Sequence, residues 1–268
     1  MTAIQCRTIV VATIVGLVSL AQADVRLPRI FTDHMVLQRE IPVCVWGWAE
    51  PGENVTVQFG SQTVTATTDR QGAWKVKLAA MKANARPQEL TIKGKNTITI
   101  VNVLVGDVWV CSGQSNMEWD MNGCNAPDDI AAANYPTLRQ IKLDHRAMGQ
   151  LSTEVPGQWA VCTPDSVRGF TAVGFYFARR IQKEMGVPIG LINDNWGGTR
   201  IEPWIPLCGF RMVPSLTNVP NEVKQRTQQY RVELGNKLDE MGKWIAAAKV
   251  AVKREYGTEV TLAGLRFK

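Results

Sequence analysis

The sequence predicts an α/β fold: a parallel sheet flanked by helices, incomplete, and preceded by a small β-sandwich. Three observations predict it. Residues 27–102 break into short alternating apolar segments separated by Gly, Pro and Asn turns. Residues 171–192 then read as an amphipathic helix leading through a short turn into an apolar strand. Finally, two apolar runs end in small and polar residues, at 112–117 and at 193–199. Open α/β sheets gather their chemistry at such strand ends.

The outer limits come from length and charge. A chain of 268 residues has room for two domains, each able to bury a core. Its formal charge of +6 is spread along the sequence, whereas a nucleic-acid interface concentrates its cations on one face. No nucleic-acid partner is therefore expected. There is no CxxC pair, HExxH or phosphate-cradling glycine motif, so neither a metal nor a cofactor is expected.

Residues 1–23 read as a signal peptide. Arg7 precedes an apolar run at 9–20, and Ala21-Gln22-Ala23 supplies the small residues before a cleavage point, leaving Asp24 first in the mature chain. The run is short for a span of about 20 residues. An exported protein, periplasmic or extracellular and without stable membrane insertion, is expected. Cys6 would leave with the leader, and the other five cysteines are spaced too widely for a small disulfide scaffold, although one or two bridges are chemically allowed. Cys111, on an apolar strand, fits a buried hydrophobe.

The front, residues 24–102, is all-β. Residues 41–48 form a strand running into the turn Pro51-Gly52-Glu53-Asn54. Val55, Val57 and Phe59 alternate with polar residues, the period of a half-buried strand. Residues 63–68 and 74–78 continue the pattern across a turn at 69–72, and Leu90, Ile92, Ile98 and Ile100 add two more pieces. Trp46, Trp48 and Trp74 suit the core of this sandwich, or a sugar-binding face.

From residue 103 the pattern changes. Val105, Val108 and Val110 give a strand that ends in Ser112-Gly113-Gln114-Ser115-Asn116. A helix is expected over 125–134, with Pro127, Asp128 and Asp129 in its first turn. Leu138, Ile141 and Leu143 suggest a second parallel strand; the Asp144-His145 pair after it points in opposite directions on an extended chain, and His145 is read as a loop histidine. Residues 171–185 form the clearest helix, with Val173, Phe177 and Ile181 recurring every four positions beside Ala178 and Met185. Gly186 is placed to cap it, and Pro188 stops it.

Residues 187–192 form the next buried strand, followed by Asn193-Asp194-Asn195-Trp196-Gly197-Gly198-Thr199-Arg200. A glycine pair after a strand can bring backbone N–H groups close to a ligand, and two such donors can stabilise an oxyanion. The same residues also read as a tight turn with a packed tryptophan. Beyond about residue 214 a long amphipathic helix is expected, at about 221–256, built on Leu234, Leu238, Met241, Ile245 and Ala248.

The blocks at 105–117 and 190–204 resemble the sialate O-acetylesterase family, a branch of the SGNH or GDSL-like serine esterases that removes acetyl groups from sugars. The resemblance runs from Leu27, through Phe31-Thr32-Asp33-His34-Met35-Val36-Leu37-Gln38, to about Pro214. Gly113-Gln114-Ser115-Asn116-Met117 is similar to the family's nucleophile block, and Trp196-Gly197-Gly198-Thr199 with Ile201-Glu202-Pro203-Trp204 is similar to its companion loop. The resemblance implies an SGNH-hydrolase-like sheet, with Ser115 as nucleophile and an O-acetylated sugar or glycan as substrate. It also implies that the β-rich front is an accessory domain, and that residues 103–268 are an esterase domain truncated on its C-terminal side.

In that chemistry Ser115 Oγ attacks an acetyl carbonyl. Backbone donors at Ser115 and in the Gly197-Gly198 loop face the developing negative charge. Asn116 supports the nucleophile turn, Trp196 offers a sugar platform, and Arg200 and Glu202 either position substrate or form an ion pair. Asp194 stands where the family more often has small hydroxyl residues, and a carboxylate near the serine disfavours an oxyanion. A serine also needs a base. The family draws it from an Asp-x-x-His motif preceded by a Gln-Gly-Glu block, and neither motif occurs in these residues. His34 belongs to the front pattern and His145 matches no catalytic family position. The expectation is an N-terminal portion of a longer enzyme with little or no esterase activity alone; the alternative is a glycan-binding protein without turnover. Oligomeric state is not specified by the sequence.

Overall fold

The computed structural model describes residues 24–147, 152–154 and 156–256, with side chains through residue 247. The expected leader at 1–23 and the final segment at 261–268 lie outside the described residues. In chain order the front contributes β1 (Val36–Gln38), β2 (Val43–Trp48), β3 (Asn54–Phe59), β4 (Gln62–Thr67), β5 (Ala73–Leu78) and β6 (Asn84–Lys93), followed by the long β7 (Thr97–Gly113). Then come α1 (Ser115–Glu118), α2 (Pro127–Ala131), β8 (Tyr135–Leu143), β9 (Gly157–Cys162), α3 (Ala172–Met185), β10 (Ile189–Asn195), α4 (Leu207–Arg211) and α5 (Val219–Tyr256). Among the described residues no helix is long and apolar enough to cross a membrane.

The fold is α/β, a mixed sheet flanked by helices, consistent with an SGNH-like fold. Its strand order is β4-β3-β6-β7-β10-β8-β9, with β1 also pairing with β7 and with β2 and β5 forming a separate two-stranded sheet. β7 is the axle. Its first half pairs antiparallel with β6, while residues 107–113 pair parallel with β10, which is itself parallel to β8. The parallel trio of β7, β10 and β8 is the one expected from the apolar runs.

No separate N-terminal β-sandwich domain is evidenced for residues 24–102. The boundary at 102/103 falls inside β7, so ladder hydrogen bonds run straight across it. The core is shared as well: Val55, Phe59, Val76 and Leu90 of the front belong to one buried cluster with Ile141 of β8 and Trp159 of β9. Trp159 Nε1 donates to the Ile30 carbonyl at 2.9 Å. The seam is pinned by Arg139, 2% exposed, which donates to the carbonyls of His34 (2.9 Å) and Asn102 and to Asn102 Oδ1 (2.8 Å). His34 and Asn102 both have left-handed backbone, φ 70° and 57°, an uncommon conformation that the buried guanidinium holds in place.

Helix α3 is where expected, with Thr171 as N-cap and Gly186 as a left-handed C-cap at φ 65°. Its buried face is only partly the expected one: Ala178 is buried and Ile181 half-buried, as read. Gly174, Phe175 and Ala178 turn inward, whereas Val173 is 50% and Phe177 39% exposed. The reason is close approach: a Cβ at Gly174 would lie 2.9 Å from Cys111 Sγ and 3.2 Å from Leu191 Cδ1. The helix axis reaches the sheet through small residues, and hydropathy alone assigns the contact to large ones. Phe177 packs edge-on to Trp109 at 4.9 Å between ring centroids. The expected helix at 125–134 is shorter, Pro127–Ala131. Cys44, Cys111, Cys124, Cys162 and Cys208 are all free, so none of the bridges that the composition allows is present among the described residues.

Candidate active site

Parallel pairing decides where the two small-residue loops go. Asn195 is in register with Gly113, so β10 and β7 end side by side and release their loops at the same sheet edge. The Trp196 N–H donates to the Gly113 carbonyl at 3.0 Å. Ser115 opens the one-turn helix α1 and is exposed. The first N–H groups of a helix have no intrahelical acceptor, and Gln114 supplies no side-chain cap here. Among the described residues no backbone acceptor takes the N–H of Ser115 or Asn116.

Gly197 lies directly against the serine. A Cβ there would sit 3.5 Å from Ser115 Cα and 3.6 Å from Ser115 Cβ, and would collide with the Glu118 carboxylate. Only glycine allows this approach. Gly198, at φ 76°, makes the turn, which Thr199 closes by donating from Oγ1 to the Trp196 carbonyl at 2.7 Å. Trp204 Nε1 grips Thr199 Oγ1 at 2.9 Å.

The turn carrying Ser115 is held from below. Asn195, 4% exposed, donates through Nδ2 to the carbonyls of Cys111 and Met117, each at 3.3 Å, and to Asn193 Oδ1. Thr171 Oγ1 donates to the Met117 carbonyl at 2.6 Å. These buried residues perform the support expected of Asn116, which is exposed and without a side-chain hydrogen bond among the described residues. Arg200 and Glu202 are exposed and form no ion pair among the described residues. Trp196 is 37% exposed, with one face covered by His145, whose ring is stacked 4.5 Å away at 7°.

His145 and Glu118 are the residues that the sequence pattern did not assign to this site. His145 is a loop residue, as read, yet its Nε2 lies 2.9 Å from the Asn195 carbonyl and 3.2 Å from Glu118 Oε1. The other oxygen, Glu118 Oε2, accepts the Gly197 N–H at 2.6 Å. The signal available in advance was spacing: Glu118 follows Ser115 by three positions, one helical turn. Nothing in sequence order connects His145 with a loop 50 residues away. Burial raises the Asp194 carboxyl above its ordinary range, an effect the neighbouring His145 partly opposes. Among the described residues no group of three or more His, Cys, Asp or Glu is arranged to hold a metal ion.

The mixed sheet flanked by helices and a serine-bearing turn beside a glycine loop define an SGNH-like α/β chain. Residues 105–232 match the family described as carbohydrate esterase, sialic acid-specific acetylesterase. The human sialate O-acetylesterase is 32% identical over 221 residues, 73% of this chain and 42% of that protein. The mouse sialate O-acetylesterase is 32% identical over 231 residues, 78% and 42% respectively. The crystal structure of a novel carbohydrate acetylesterase from Xanthomonas citri superposes with a TM-score of 0.67 at 39% identity, covering 69% of this chain and 43% of that one. Sequence and structural homology place this chain in the sialate O-acetylesterase family, related to the SGNH/GDSL esterases. It spans 42% of the length of the curated relatives it matches.

Proposed function

We propose that this chain supplies the nucleophile of a serine esterase that removes O-acetyl groups from sialic acid or another acetylated sugar. The observation carrying this reading is the exposed Ser115 on the first turn of α1, with Gly197 close enough that a Cβ there would lie 3.5 Å from its Cα. Ser115 Oγ bonds to the acetyl carbon as its proton passes to a base. The tetrahedral intermediate collapses, the C–O bond to the sugar breaks, and the sugar oxygen takes a proton. Water then attacks the acetyl-enzyme, releasing acetate and restoring Ser115. The N–H groups of Ser115 and Asn116 suit the negative oxygen of the intermediate. Trp196 presents its open face to the sugar, with Arg200 and Glu202 on the same loop free to meet polar substituents.

Activity of these 268 residues alone is expected to be weak. His145 is placed near the site, but its Nε2 is already engaged by Glu118 and Asn195. That same observation favours a second reading, glycan binding without turnover. An activated phosphonate followed by peptide mass spectrometry separates the two. Labelling at Ser115, abolished by Ser115→Ala, together with acetate release from an O-acetylated sialoside, supports the esterase. Sugar binding indifferent to Ser115→Ala with no labelling supports the binding protein. Export, read from residues 1–23, is part of the same proposal; a cell-produced protein that retains Met1 would contradict it.

A further inference from the structure

The Gly197 N–H is not free. It points at Glu118 Oε2 from 2.6 Å, and the second oxygen of that carboxylate is anchored by His145 Nε2 at 3.2 Å. The imidazole is itself fixed by its stack on Trp196, 4.5 Å away, and by the Asn195 carbonyl at 2.9 Å. Glu118, His145, Trp196 and Gly197 thus close a ring that joins α1, the loop after β8 and the loop after β10. A carboxylate occupies the place where an oxyanion would take this N–H.

We propose that Glu118 is a positioning residue that withholds the Gly197 N–H from an incoming oxyanion in the resting chain, with His145 as the anchor of the latch. The proposal rests on the esterase reading of Ser115. A hydrogen bond to a charged acceptor is shorter and stronger than a neutral one, so an ester carbonyl in its ground state does not displace the carboxylate; an oxygen carrying full negative charge competes with it. The latch also seats the glycine loop against Ser115, because carboxylate and serine share one helical turn.

The test uses the 268-residue chain and its Glu118→Gln and His145→Ala variants. Glu118→Gln preserves shape and one acceptor oxygen while removing the charge. The first readout is hydrogen exchange of the Gly197 amide by NMR, which does not depend on catalysis. Exchange is expected to rise about tenfold in Glu118→Gln, the loss of a charge-assisted bond, and to rise by a smaller factor in His145→Ala. The second readout is the rate at which an activated phosphonate modifies Ser115, expected to increase about threefold in Glu118→Gln if about half of that bond's strength had opposed the oxyanion. Unchanged Gly197 exchange in both variants overturns the latch. Faster exchange with slower phosphonylation also overturns it, since the carboxylate would then assist the loop instead of withholding its donor. Faster exchange with Ser115 inert in every protein upholds the latch as a contact and counts against the esterase reading.

Discussion

Thr171 Oγ1 lies 2.6 Å from the Met117 carbonyl, so the residue that caps α3 also ties down the turn carrying Ser115. One buried hydroxyl couples the packing of a helix to the placement of Ser115. Replacing it by the near-isosteric Val removes a cap and a donor, while Met117 keeps its bond from Asn195. Thr171→Val is expected to destabilise the chain by about 1–2 kcal/mol and to slow phosphonate labelling of Ser115. Thr171→Ser should restore both. Urea unfolding and labelling rates measure this, and an unaffected Thr171→Val protein would refute the coupling.

Arg139 is buried without a carboxylate partner among the described residues, and its charge is distributed over carbonyl groups of His34, Asn102 and Pro136. Burial pulls its guanidinium down to about 10. Arg139→Met fills the volume but orphans several carbonyls and releases two left-handed residues, for an expected loss of about 3 kcal/mol. Arg139→Lys should be nearly as damaging, because one ammonium cannot span the same planar fork. Equilibrium unfolding tests both substitutions.

The two buried thiols predict an alkaline limit. Burial pushes Cys111 up to about 11 and Cys162 up to about 12, from 9.0 in an unfolded chain. Their contribution to stability is complete below pH 9. Above it the unfolded state releases protons that the folded state keeps, so stability falls as pH rises toward 11. At pH 10 the loss is about 1 kcal/mol per thiol. Thermal melts between pH 8.5 and 10.5 should show a shallower decline in the Cys111→Ala, Cys162→Ala double variant, whatever its starting Tm.

Apolar side chains are also exposed along the same strand: Trp109 is 43% exposed against Phe177 of α3, and Val110, on the opposite face of the strand, is 64% exposed. Among the described residues, Val108 to Gly113 pair with β10 alone, which leaves the opposite edge of β7 open. Open edges with apolar side chains aggregate, and charge on the edge prevents it. Val110→Lys is expected to raise the concentration at which the protein stays dispersed severalfold, without lowering Tm. Light scattering across a concentration series decides it.

Local chemistry made the strands and helices of this chain legible before any contact was known. Alternation exposed β3, β4 and β5, and the Gly186 cap with Pro188 marked the end of α3. Ser115 and the Gly197-Gly198 pair were conspicuous because small polar residues after an apolar run have few local uses. The face of α3 was partly misread because burial there depends on how near the helix axis comes to the sheet, which Gly174 sets. The continuity of β7 across 102/103 was not legible, because a strand's partners lie elsewhere in the chain and β7 takes different ones along its two halves.

What the sequence determined alone was therefore the identity of the elements and of the small-residue turn carrying Ser115, since periodicity, capping and turn chemistry act over a few residues. Tertiary structure decided which residues meet Ser115. Parallel register set Gly113 beside Asn195, and that juxtaposition brought Gly197, Glu118 and His145 into one cluster across as many as 79 residues. Long-range pairing is fixed by the shared core and the ladder bonds, and no short stretch of chain encodes either by itself.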